Sequence, residues 1–111
     1  MTETRYTERN ENGKQTFRLY SCGHSGLIED GVDVGCRASS AICCSLVNAV
    51  DSFDGEKKIT VKDGSCEIEI TVDEERADVG ILFGCFLTAR YGLSALAKKY
   101  PENFRYVEKL S

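Results

Sequence analysis

The chain has 111 residues, of which 41% are hydrophobic, and its 14 Lys and Arg against 18 Asp and Glu leave a net charge of −4. That length suits one domain over residues 1–111 with a modest core. The acidic balance argues against nucleic acid as the main ligand, because phosphate binding needs a basic face, and makes a basic protein or peptide the more natural partner. The opening MTETRYTERNENGK is charged and polar, unlike a secretory signal. The longest apolar run, Val79–Leu87, is broken by Gly80 and Gly84 and is too short to cross a bilayer. The expectation is a cytoplasmic protein with no membrane association. Its six cysteines, at 22, 36, 43, 44, 66 and 85, then read as reduced thiols. Cys43, Cys44, Cys66 and Cys85 fall within apolar segments, as small buried hydrophobes do.

Residues 4–8 and 15–22 are two strands joined by Asn10-Glu11-Asn12-Gly13, whose Asn-Gly pair favours a hairpin. In the second strand Phe17 and Leu19 point one way, Arg18 and Tyr20 the other. Residues 25–35 carry Gly26, Gly31 and Gly35 among acidic residues without a sustained period, which predicts a mobile loop. Cys36–Val50 is apolar nearly all round, as a buried helix would be, with small residues at 38, 41, 45 and 49 on one side. Ile59 and Val61, then Cys66, Ile68, Ile70 and Val72, alternate with polar residues around Asp63-Gly64-Ser65, which predicts a β-hairpin. Asp73-Glu74-Glu75 suits the start of a second helix and Lys98-Lys99 its end, with Pro101 as the stop. Within it Gly80, Gly84, Thr88 and Gly92 form a ridge of small residues that predicts close approach to the first helix. Asn103–Leu110 reads as a closing strand. The order β-β-α-β-β-α-β implies an α+β fold, with two helices on one face of a mixed, mainly antiparallel sheet.

The chemistry gathers in residues 23–41, GHSGLIEDGVDVGCRASSA. His24, the sole histidine, follows the strand-like run Phe17–Cys22, and Cys36 opens the small-residue helix twelve residues later. An imidazole and a thiol at the two ends of a glycine-punctuated loop are the minimum equipment of a cysteine nucleophile with a histidine base. If Cys36 is the first helical residue or the N-cap, the unpaired amides there favour its thiolate, and the amides of Cys36 and Arg37 are candidate oxyanion donors. Gly35 before it would leave open space beside the sulfur. Cys22, His24 and Cys36 also offer three soft ligands, but no fourth lies at a recognisable spacing for zinc. No metal or other cofactor is expected.

Gly23-His24, the Gly31-x-Asp33 step, Cys36 and Ser40-Ala41 resemble the signature of the ribosomal-processing cysteine proteases called Prp. The resemblance implies a cysteine endopeptidase that removes the N-terminal leader of large-subunit ribosomal protein twenty-seven, with His24 and Cys36 as the catalytic dyad. It makes Asp33 and Ser40 candidates for support, against the plainer readings of a loop Asx-turn and a back-bonded helical hydroxyl. The glycine loop, with Gly26, Gly31 and Gly35, becomes the mobile cover of a peptide groove. The partner becomes the basic N-terminal peptide of the ribosomal protein, and pairing through helix surfaces would make a homodimer. Gly35 stands where the family often has a bulky aliphatic residue, Arg37 where it has a small one, and the polar N-terminus is longer than the pattern leads one to expect. Two other classes remain: a non-catalytic ribosomal-protein-binding module of the same fold, and a thiol redox sensor in which Cys22 resolves an oxidised Cys36.

Overall fold

A computed structural model describes residues 1–110. Strands β1 (Thr2–Glu11) and β2 (Lys14–Cys22) form the first hairpin. Asn12 and Gly13 at its turn both have positive φ, 53° and 75°, the left-handed pair whose twist matches the flanking strands. β1 is longer than the sequence suggests because Thr2, Thr4 and Tyr6 each bury a side chain on the core face. The polar opening is therefore part of the sheet.

The chain continues through β3 (Ile28–Glu29) and β4 (Val32–Asp33), then α1 (Val34–Asp51), β5 (Glu56–Lys62), β6 (Ser65–Asp73), α2 (Val79–Lys99) and β7 (Phe104–Leu110). The segment expected as a mobile loop holds a small ladder of its own, turned at Asp30-Gly31. The main sheet runs β5-β6-β2-β1-β7, with every neighbour antiparallel except the β1–β7 pair. The α+β architecture agrees with the order read from the sequence.

Period-two alternation puts Tyr6, Phe17, Leu19, Ile68, Ile70 and Val72 on one face of this sheet. They meet Leu46 and Val50 of α1 and Leu82, Phe86 and Leu93 of α2 in one core. Phe17 stacks on Phe86 with ring centroids 5.3 Å apart. Burying each such side chain is worth about 1.5–3 kcal/mol. The opposite face carries Arg18, Lys58, Glu67 and Glu69 as wet ion pairs.

Both helices depart from the sequence reading. α1 begins at Val34, and its exposed side carries Arg37, Ser40, Ala41, Cys44 and Ser45, so it is buried along one stripe only. Cys44 is exposed and Cys85 half-buried, while Cys43 and Cys66 are in the core as expected. Asp73 is still in β6, where it pairs with Lys14 at 2.7 Å, and α2 starts six residues after it. α2 has 21 residues and by length and composition is apolar enough to cross a bilayer, which the Val79–Leu87 run did not suggest. In this fold its apolar stripe covers the sheet. Mid-helix Arg90 lies over the Tyr6 ring at 4.1 Å and donates to Glu108 of β7 at 2.7 Å.

The glycine ridge brings the helices close at one point. A Cβ on Gly92 would lie 3.0 Å from Ile42 Cδ1, whereas Gly80 and Gly84 face open space. α1 and α2 therefore meet at Gly92 and flank a shallow apolar groove toward Cys85.

Candidate active site

As β2 leaves the sheet, Gly23 donates its N–H to the Gly64 carbonyl at 2.8 Å, which ties the strand end to the β5–β6 turn. Gly64 has φ +78°, and a Cβ there would lie 3.2 Å from His24 Nε2. The turn thus forms a bare floor under one edge of the imidazole. The other edge faces the sulfur: His24 Nδ1 is 3.7 Å from Cys36 Sγ. The strand end and the helix start bring together the two residues singled out in the sequence. The contact is at the long end of hydrogen bonding to sulfur, and free-enzyme contacts of this kind tighten on binding.

Cys36 is neither the first residue nor the N-cap of α1. The N-cap is Asp33, and its Oδ1 accepts the Cys36 N–H at 2.9 Å. Cys36 is the third helical residue, and its own amide is occupied. It is not the free oxyanion donor that the sequence suggested, and the cap's negative charge offsets part of the helix's positive end. The sulfur instead receives the backbone N–H of Ser25 at 3.3 Å.

Ser25 is the residue that sequence reasoning missed. It is 2% exposed. Its hydroxyl donates to Asp33 Oδ1 and accepts the Leu27 N–H at 3.2 Å. Asp33 Oδ2 takes the Gly26 N–H at 2.9 Å. The Ser25 hydroxyl first, then the Cys36 and Gly26 amides, hold the Asp33 carboxyl well below the usual carboxylate range. Asp33 therefore clasps the loop to the helix start and does not touch the imidazole. Asp33 thus supports the site by ordering the loop as well as by capping the helix, and not through the imidazole.

The other candidates separate. Gly26 lies in the clasp, while Gly31 sits in the β3–β4 turn with open space around it. Gly35 is needed for a reason besides space at the sulfur: a Cβ there would collide with the Ser25 hydroxyl and lie 2.8 Å from Ser25 Cβ and 2.9 Å from Phe104 Cζ. The space beside it is filled, which is why no bulkier residue fits at this position. Arg37 is exposed. Ser40 is exposed and lines the cleft beside Cys36, but the back-bonded hydroxyl is its neighbour's. Ser39 donates to Gly35 O at 3.1 Å and to Cys36 O at 3.2 Å.

His24 and Cys36 open onto a cleft walled by Cys22, Ser40 and Cys44 and, across from them, by Val61–Ser65 of the β5–β6 hairpin. Among the described residues no cluster of three or more His, Cys, Asp or Glu side chains is arranged to hold a metal ion. The remaining members of the arrangement come from far along the chain. Gly64 is supplied by the second hairpin, and Asn103 donates to the Ser25 carbonyl at 2.9 Å from 78 residues away. Hydrophobic periodicity carries no signal for either contact.

A thiol, an imidazole within reach of it and a fixed backbone donor aimed at the sulfur form the working parts of acyl transfer through a thioester. Comparison with known proteins points the same way. The structure is similar to the essential ribosomal processing protease Prp from Staphylococcus aureus in complex with a covalently linked product peptide, at 27% identity and a TM-score of 0.74, covering 98% of this chain and 100% of that one. The same protease in complex with a substrate peptide is similar at 26% identity and a TM-score of 0.71, with the same coverage. SMU.848 from Streptococcus mutans shares the fold at 22% identity and a TM-score of 0.70, covering 100% of this chain and 96% of that one. No curated protein matches the sequence. The model of the family described as cysteine protease Prp matches residues 1–105. The chain belongs to the Prp family and is a cysteine protease.

Proposed function

We propose that this protease removes the N-terminal leader of large-subunit ribosomal protein twenty-seven, with Cys36 as nucleophile and His24 as general base and acid. The observation that carries the assignment is the meeting of His24 Nδ1 with Cys36 Sγ at 3.7 Å, while a loop amide points at the same sulfur at 3.3 Å. The similar S. aureus protein is described as a ribosomal processing protease and binds substrate and product peptides. The acidic chain, with net charge −4, suits a basic leader.

In the proposed reaction His24 takes the Cys36 proton and the sulfur attacks the scissile carbonyl, placing negative charge on its oxygen. The Ser25 N–H, released from the thiolate, donates to that oxyanion. His24 then protonates the leaving amine, and the C–N bond breaks to leave a thioester on Cys36. Water, deprotonated by His24, attacks the thioester and frees the leader's carboxylate. Asp33 holds the helix start and the loop together throughout. Ser40, Cys44 and the Val61–Ser65 turn line the substrate cleft. The enzyme acts in the cytoplasm, and two copies pair through α2, where Ile81, Phe83 and Tyr91 stand exposed.

Incubation with a synthetic leader peptide of the ribosomal protein, followed by mass spectrometry, tests the assignment. Cys36→Ala should abolish cutting, and His24→Ala should slow it by about 10²–10⁴-fold. Cutting by Cys36→Ala at the wild-type rate overturns the nucleophile. Wild-type binding of the leader without cutting moves the protein to the non-catalytic class.

A further inference from the structure

We propose that Asn103 is a positioning residue for the nucleophile, acting through the Ser25 peptide; the proposal rests on the assignment of Cys36 above. Asn103 sits where three elements meet. Its N–H donates to Tyr100 O at 3.0 Å at the end of α2, and its carbonyl accepts the Thr2 N–H at 2.9 Å at the start of β1. It immediately precedes β7. Its backbone is thereby fixed to the sheet and to the second helix. Its side chain spends its donor on the Ser25 carbonyl at 2.9 Å.

That carbonyl belongs to the peptide whose N–H, on Gly26, donates to Asp33 Oδ2 at 2.9 Å. The peptide is therefore gripped at both ends, by Asn103 from the sheet side and by Asp33 from the helix side. Ser25 cannot shift toward the helix, because its hydroxyl is held by Asp33 and its side chain packs directly on Gly35. With one flanking peptide gripped and the side chain fixed, the backbone at Ser25 has one setting, and that setting aims its N–H at Cys36 Sγ at 3.3 Å. Loss of the Asn103 donor leaves a part-buried carbonyl unpaired, and the low-cost remedy is rotation of the 25–26 peptide. Rotation also withdraws the Gly26 N–H of that peptide from Asp33 Oδ2, so residues 24–26 re-seat together and the Ser25 amide leaves its line to the sulfur. The donor aimed at the reacting atoms is thus oriented by a side chain that never touches them, a small misplacement of the kind that costs rate.

Asn103→Asp keeps the side-chain shape and removes the donor, and Asn103→Ala removes both. Neither alters the backbone bonds of residue 103 that hold β1 and α2. The readouts are leader-peptide kinetics well below the melting temperature, the pH profile of iodoacetamide alkylation at Cys36, and the melting temperature itself. Both variants should lose about 5–10-fold in kcat at a nearly unchanged KM. Their alkylation profiles should move to higher pH than the wild type's, since the thiolate has lost an aligned donor. A wild-type kcat and alkylation profile in both variants overturns the proposal, whether or not the melting temperature falls. An inert wild-type Cys36, alkylated no faster than a free thiol, instead removes the underlying assignment. The two failures are told apart by the wild type alone.

Discussion

Gly35→Ala tests the packing that holds the nucleophile. The added methyl would collide with the Ser25 hydroxyl and lie 2.8 Å from Ser25 Cβ and 2.9 Å from Phe104 Cζ. Ser25 is 2% and Phe104 4% exposed, so neither can step aside into solvent. Overpacking of this kind costs about 1–3 kcal/mol. Against it stands a gain of about 0.5–1 kcal/mol for replacing glycine in a helix. The net is a loss of about 1–2 kcal/mol, or about 4–8 °C in melting temperature at this chain length. Displacing Ser25 also pulls its N–H from Cys36, so kcat/KM on a leader peptide should fall by at least about 10-fold. Gly80→Ala is the matched control. Gly80 lies in α2 with nothing near a Cβ, so the same change there should raise stability by up to about 1 kcal/mol and leave cutting unchanged. If Gly35→Ala melts within about 1 °C of the wild type and cuts normally, the reasoning about this contact is refuted.

Other outcomes follow from the same geometry. Gly64→Ala forces a side chain into a φ of +78° and against the His24 ring at 3.2 Å, so it should lower both stability, by about 1–2 kcal/mol, and the cleavage rate. Asp33→Asn should destabilise at neutral pH. The Asp33 carboxyl is depressed in the folded state, so its contribution is full above the unfolded value near pH ~4 and fades as pH falls below that. The melting-temperature gap between the two proteins should accordingly narrow in acid, and a gap that widens there contradicts the clasp. Thiol labelling should mark exposed Cys44 in the folded protein and spare Cys43 and Cys66 until unfolding.

Periodicity made most of this fold legible. Ile68, Ile70 and Val72 alternate so regularly that one face of β6 had to be core, and Asn12-Gly13 and Asp63-Gly64 announce both hairpins. α2 starts later than Asp73-Glu74-Glu75, although that run has helix-opening chemistry. Sheet pairing across from Lys14 claims Asp73 first. α1 looked buried all round because alanine, serine and cysteine are small enough for either side of a helix. His24 and Cys36 could be picked out as the sole imidazole and a thiol at a helix start. What sets their geometry could not. The Asp33 cap moves Cys36 one turn into the helix, Ser25 supplies the amide, and Gly64 and Asn103 arrive from distant elements. Tertiary hydrogen bonds of that separation leave no local pattern to read.

Catalysis as proposed needs a sulfur primed by its setting, and the alkylation rate of Cys36 at pH 7 reads that property directly. Quantified by peptide mapping against a free-solution thiol, Cys36 should react about 10-fold faster or more, and His24→Ala should bring it back toward the free thiol. A Cys36 that reacts at the free-thiol rate, unchanged by His24→Ala, contradicts the account.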